Sequence, residues 1–299
     1  MAERLRPALL FDMIDAALPA DLKPRVLVVG SLAAAYHFRD QIHHEGITTK
    51  DADCVIHPAG AVDECRQIAT QLLAAGWRRT AKCHPQPSAE PHKALRTIRL
   101  YPPNTDAFFL EMLAFPDSVQ REIVTWIPFR LSDGWYGLPS FRFLGLAEHG
   151  WRQTETGVHY AAPEMMALAN LLSHPRVGTA RMGEPIGGRS LLRSVKDLGR
   201  VLALAWLTGR DETETWTARW ETALRARFGE EAGSMAKVAD RGLRELLEDG
   251  GALDEARHAV DIGLLAGKAI TEDQLRATGQ RLLADVLVPL AARFTTGTS

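Results

Sequence analysis

Asp51 and Asp53 stand two residues apart at the head of an apolar run, Cys54-Val55-Ile56. In an extended chain alternate side chains share a face, so the two carboxylates point one way while Ala52 and Cys54 point the other. Carboxylates this close repel each other unless a proton or a cation lies between them. Hard oxygen donors of this kind suit Mg²⁺ or Mn²⁺, ions that fill their remaining positions with water and substrate phosphate. An isolated Asp-x-Asp also fits a solvated turn or strand end. This pair differs in opening a strand that belongs to a core.

Two further features bear on the same chemistry. Upstream, Val26-Leu27-Val28-Val29 runs into Gly30-Ser31 and then into a segment of helical composition, 32–41. Small residues at a helix N-terminus let backbone N–H groups approach a phosphate, and the helix dipole favours the anion. Ser31 can also cap that helix, and a tight turn that binds nothing is the plain alternative. A dinucleotide fingerprint is excluded because Leu32 and Ala35 stand where glycines are needed, and no GKS or GKT follows Gly30. Downstream, Glu111 is a lone acid in AFFLEMLA, 107–114. Acids are rarely buried without a partner. Either Glu111 faces solvent from an edge strand, or it faces Asp51 and Asp53 from a neighbouring one. In the second case it is a third metal ligand or the base for an attacking hydroxyl. Asp106 is the rival, but it lies five residues earlier in a turn, an odd offset that puts it on the other face.

The elements that must position these residues fall into two parts. Residues 1–161 read as an α+β domain. It has a helix at 3–18, a doubly buried strand at 25–29, a strand at 51–56 and a helix at 61–75. Further strands are expected at 77–82, 95–101, 107–114 (antiparallel to its predecessor), 122–131 and 157–161, with an exposed loop at 83–93. Residues 162–299 read as a helical domain, with helices at 163–173, 189–207, 213–228, 231–249, 252–267 and 271–294. Pro163-Glu164 suits the first turn of the first of these.

The chain has 299 residues, 46% of them hydrophobic and 24% charged, as in a globular protein. A net charge of −2 provides no overall field for nucleic acid, although Arg176, Arg181, Arg189 and Arg193 could form a local phosphate-binding stripe. The three cysteines, Cys54, Cys65 and Cys83, have no CxxC spacing and fit a reducing cytoplasm. No signal-peptide core and no membrane-length apolar run is visible.

Taken together, VVGS, TKDADCVI and FFLEM resemble the DNA polymerase β-type nucleotidyltransferase superfamily. Its signature is an apolar strand ending in Gly-Ser or Gly-Gly, a helix, a strand with alternating aspartates, and a third acid on a later strand. Thr49-Lys50-Asp51-Ala52-Asp53 is similar to the abortive-infection (AbiEii-type) toxin branch. PEMMALANLL followed by RSLLRSVKDLGRVLAL also resembles that branch's Pro-Glu-led helix and its Arg…Lys-Asp…Leu pattern. Three features depart from the pattern: about 20 residues separate Gly30-Ser31 from Asp51, Ala169-Asn170 replaces a frequent lysine, and Arg200 replaces an acid.

The resemblance implies a mixed sheet with flanking helices followed by a helical domain. It implies transfer of an NMP from an NTP to a hydroxyl acceptor, with Asp51, Asp53 and Glu111 holding Mg²⁺ or Mn²⁺. Gly30 and Ser31 would hold the phosphates, Lys50 would be a further cation, and Arg193, Lys196 and Asp197 would line the nucleotide or acceptor cleft. These last three equally fit a solvated helix face. The acceptor implied is a tRNA 3′ end, a protein hydroxyl or a small molecule, and an antitoxin is the implied regulating partner. The competing readings are an inactive nucleotidyltransferase-fold binding or regulatory module, and a helical nucleic-acid-binding protein with an accessory β domain.

Overall fold

The computed structural model describes residues 6–42, 47, 49, 51–79, 87–93, 96–106, 108–118, 120–183 and 185–295. Lys50, Cys83 and part of the expected strand at 77–82 lie outside them. The chain divides into two compact units, residues 1–36 with 44–161 and residues 37–43 with 162–299. Both are built from ordinary hydrophobic patterning. Among the described residues no helix is long and apolar enough to cross a membrane.

The first unit holds α1 (Pro7–Ala17), β1 (Val26–Val29), α2 (Gly30–His37), β2 (Asp51–Ile56), α3 (Val62–Ala74), β3 (Arg99–Leu100), β4 (Phe109–Ala114), β5 (Val124–Leu131), β6 (Gly134–Phe141), β7 (Arg152–Gln153) and β8 (His159–Tyr160). Six of the strands form one mixed sheet in the order β3-β4-β2-β1-β8-β7. β1 is antiparallel to β2, and β2 is parallel to β4. All four residues of β1 are buried, as its unbroken apolar run requires of a central strand. The small side chains Ala33, Ala34 and Ala35 are fully buried and let α2 pack closely. Phe11 of α1, Tyr36 of α2 and Tyr160 of β8 form a ring cluster, with centroids 4.3 Å apart for Phe11–Tyr36 and 5.2 Å for Tyr36–Tyr160. Such contacts fix the helix that leaves β1. Cys54 and Cys65 are buried free thiols, and burial pushes both upward.

β5 and β6 form a separate two-stranded sheet. Between 131 and 157 the sequence is rich in glycine and aromatics and reads as irregular, but Gly134–Phe141 forms a regular strand paired with β5. Asp133-Gly134 at the reversal is a hairpin signal. In the described part of the expected strand at 77–82, residues 77–79, Arg78 forms a bridge with Tyr101.

The second unit holds α4 (Pro163–Val177), α5 (Arg193–Thr208), α6 (Arg210–Glu214), α7 (Trp216–Phe228), α8 (Ala232–Glu248), α9 (Gly250–Ile262), α10 (Glu272–Leu282) and α11 (Val288–Thr295). Trp216 and Trp220 are fully buried in it. Glu164, in the first turn of α4, is buried and paired with Arg219, and the Trp220 Nε1 donates to its carbonyl at 2.9 Å. α4 runs on past the expected end at 173, with Pro175 inside it. The expected single helices at 213–228 and 271–294 are interrupted, the second by a π-helical turn at Leu283–Leu287. Continuous apolar periodicity does not reveal a change of helix type. A capping box, Thr271 with Gln274, starts α10.

His174 of α4 is buried, and its Nε2 has no hydrogen-bond partner among the described residues. Burial pushes this imidazole from 6.5 down to about 4, with the Arg241 charge acting the same way. As pH falls, the unfolded chain is protonated first while the folded chain resists. Stability is therefore complete above about pH 6.5 and is lost progressively toward about pH 4, by up to about 3 kcal/mol. Urea unfolding across that range should show a shallower acid slope for His174→Gln than for the parent chain. Equal slopes would contradict the assignment.

Candidate active site

The strand register decides where the acids lie. Asp53 of β2 stands opposite Val29 of β1 on one side and Glu111 of β4 on the other, and Asp51 stands opposite Phe109. Residues directly opposite in a ladder share a face, and so do residues two apart along a strand. Asp51, Asp53 and Glu111 therefore lie on one face of the sheet. Burial along β2 runs from exposed Asp51 through half-buried Asp53 to the fully covered Val55 and Ile56. The carboxylates thus occupy the open end of a strand whose other end is core.

The turn after β1 lies against this end. Gly30 has φ +77°, which glycine adopts without penalty. A Cβ there would meet Asp53 Oδ2 at 3.1 Å, so the missing side chain is what lets the carboxylate approach the first turn of α2. The helix begins at Gly30 itself, so Ser31 sits inside its first turn and not at the expected cap position. The Thr49 hydroxyl donates to Asp51 Oδ1 at 3.2 Å.

Glu111 has a different environment. The Arg99 Nε donates to Glu111 Oε2 at 3.0 Å, from the residue directly opposite on β3, and the Thr97 hydroxyl donates to it as well. The Glu111 side chain is only 17% exposed. Burial pushes its carboxyl above the ordinary range; Arg99 and Thr97 pull against this, and the Asp51 charge adds to it. The Arg99 guanidinium also lies 4.7 Å above the Phe109 ring. Among the described residues no three His, Cys, Asp or Glu side chains are arranged to hold a metal ion. Asp51 and Asp53 remain a pair of hard donors that fits a divalent ion completed by substrate phosphate. As placed, Glu111 is the partner of Arg99, which differs from the expectation of a third ligand or a free base.

Asp106, the rival acid, is exposed and paired with Arg78 at 2.9 Å. Arg193 and Lys196 belong to the second unit, in the first turn of α5. Arg193 is exposed, and its backbone N–H donates to the Ala180 carbonyl at 2.8 Å. Burial raises the carboxyl of Asp197 in the same helix, against the charges of Arg200, Lys196 and Arg193. Of the expected arginine stripe, Arg181 donates to the Ser190 carbonyl at 2.7 Å and Arg189 pairs with Asp254 at 2.9 Å. The Arg176 side chain lies outside the described part.

Arg99 and Thr97 are the neighbours that the reading of single residues missed. The alternation of apolar and polar residues over 95–101 places both on one face, but only the register with β4 sets them beside Glu111. Compared with family models, curated proteins and solved structures, the chain matches none. The protein is of the mixed α+β class, with a mixed sheet and helices in the first unit and a helical second unit.

Proposed function

We propose that the first unit carries a metal-dependent nucleotidyltransferase site, which moves an NMP from an NTP to a hydroxyl acceptor. The observation that carries this reading is the placement of Asp51 and Asp53 on one sheet face, with the Asp53 carboxylate against Gly30 at the start of α2. In this reading Asp51 and Asp53 hold Mg²⁺ or Mn²⁺, which supplies charge neutralisation for the polyphosphate. The backbone N–H groups after Gly30 and the Ser31 hydroxyl bind phosphate oxygens, because they lie where the helix dipole is positive. Glu111 anchors Arg99. Catalysis on this plan is positioning and electrostatics, with the chain holding the triphosphate for in-line attack.

The experiment is a thermal unfolding series with each NTP, with and without Mg²⁺ or Mn²⁺. The expected result is stabilisation only when nucleotide and metal are both present, about 2.7 kcal/mol at a hundredfold excess over Kd. Incubation with α-labelled NTP and total cellular RNA or protein then identifies the acceptor class among a tRNA 3′ end, a protein hydroxyl and a small molecule. RNA labelling would fit a toxin-like enzyme controlled by an antitoxin. The Arg99–Glu111 pair favours a second reading, a non-catalytic binding module on the same fold. That reading expects stabilisation by nucleotide without metal, or no stabilisation at all.

A further inference from the structure

We propose that the second unit carries a binding site for a small zwitterion, an α-amino acid with a large apolar side chain, held between Arg281 and Asp285. An open cleft of about 340 Å³ lies where the end of α5, the short α6, α10 and the π-helical turn Leu283–Leu287 meet. That volume is at the lower end of the range for small-ligand sites. The wall of the cleft carries the Trp206 ring, two arginines, Arg210 and Arg281, and two carboxylates, Glu214 and Asp285. It shares no residue with the acids of the first unit and does not depend on the nucleotidyltransferase reading.

The π-helical turn sets the charge pattern. Arg281 and Asp285 are four residues apart, and on a continuous α-helix side chains at that spacing are neighbours that close into an ion pair. At Leu283 the winding changes, and the hydrogen bonds reach one residue further along the chain. The change turns Asp285 away from Arg281 and toward α6, where its Oδ2 lies 3.9 Å from the Arg210 Nε. Arg210 has a nearer partner in Glu214, at 3.2 Å. Among the described residues Arg281 has no carboxylate partner, and its Nη2 donates to the Thr278 hydroxyl at 3.3 Å. One arginine shared by two carboxylates leaves negative charge on the Asp285 side of the cleft, and Arg281 leaves positive charge on the other. A ligand with a carboxylate and an ammonium group matches both sides at once, through hydrogen bonds that are strong because both partners are charged. Trp206 offers an apolar face to the rest of such a molecule. The turn is also buttressed from outside its own helix. The buried Thr217 hydroxyl of α7 lies 3.4 Å from the Asp285 carbonyl and 3.3 Å from that of Val286. Turns of this kind are rare in helices and recur at functional sites.

The test titrates the full chain with L-phenylalanine by ligand-observed NMR, alongside phenethylamine, which lacks the carboxylate, and hydrocinnamate, which lacks the ammonium group. The parent chain should bind L-phenylalanine about tenfold more tightly than either analogue, the effect of one charge-assisted hydrogen bond. Arg281→Gln should lose the preference over phenethylamine and keep the preference over hydrocinnamate. Asp285→Asn should do the reverse. No binding of L-phenylalanine by the parent up to about 10 mM overturns the assignment. Equal binding of all three compounds by the parent overturns it too, because the cleft then reads only the ring. Binding that neither variant changes places the amino acid elsewhere on the chain, with the same consequence. If Asp285→Asn does not fold, the parent's ranking of the three compounds and the Arg281→Gln result decide the matter, since Arg281 is exposed and makes only the contact to Thr278.

Discussion

Asp53→Asn should lower nucleotidyl transfer by about 10²–10³-fold, roughly 3–4 kcal/mol of transition-state stabilisation, while the chain stays folded. The exchange keeps the shape of the side chain and removes one negative charge. That charge lies opposite Glu111 and on the same face as Asp51. On the proposed reading the exchange also removes a metal ligand, the carboxylate whose Oδ2 lies 3.1 Å from the position of a Cβ at Gly30. Asp51→Asn should be the milder change. Asp51 is exposed at the strand end, and its neighbour on β4 is Phe109, not a second acid. Transfer of a labelled NMP and the metal-dependent shift in melting temperature should fall together in Asp53→Asn. Parental transfer by Asp53→Asn would remove Asp53 from the site. Loss of transfer with the metal-dependent nucleotide shift intact would make it a residue of the chemical step and not a ligand.

What could be read in advance was whatever depends on local period. The unbroken VLVV run marked a strand buried on both faces, and all four of its residues are buried. The two-residue spacing of the aspartates placed them on one face. A single acid in FFLEM marked a strand whose polar side needed a partner. The identity of that partner was not legible, because it depends on register. Whether Arg99 or a residue one step away stands opposite Glu111 is set by the turn between β3 and β4, and a slip of one residue reverses every face. Pairwise placement across long sequence separations is likewise what brings Asp53 to Gly30. In the helical unit, apolar spacing located the helices but not the breaks between α6 and α7 or at Leu283–Leu287. A π-helical turn keeps its apolar side chains buried, as Val286 and Leu287 are, and so leaves the pattern uninterrupted.

The second unit has its own sharp test, in which the expected sign reverses a common rule. Gly242 lies inside α8, and alanine in place of glycine within a helix ordinarily stabilises by about 1 kcal/mol. Here it should destabilise. An added Cβ would stand 1.7 Å from His174 Nε2, 2.0 Å from Cε1 and 2.5 Å from Cδ2, so the imidazole edge already fills the space where the methyl would go. His174 is 6% exposed, on the neighbouring helix α4, and the ring cannot simply swing into solvent. Overpacking of a filled core costs about 1–3 kcal/mol and more when the neighbours cannot yield, which outweighs the gain in helix propensity. Gly242→Ala should therefore lose about 2–4 kcal/mol in urea unfolding. Because the clash has one partner, the loss should be specific to it. Combining Gly242→Ala with His174→Ala should recover much of the stability, a coupling of neighbours that a double-mutant cycle reads directly. The double variant should also lack the loss of stability between about pH 6.5 and pH 4 that His174 contributes. If Gly242→Ala is as stable as the parent, the helices α4 and α8 are not packed through this histidine, and the acid-sensitive step must be assigned elsewhere.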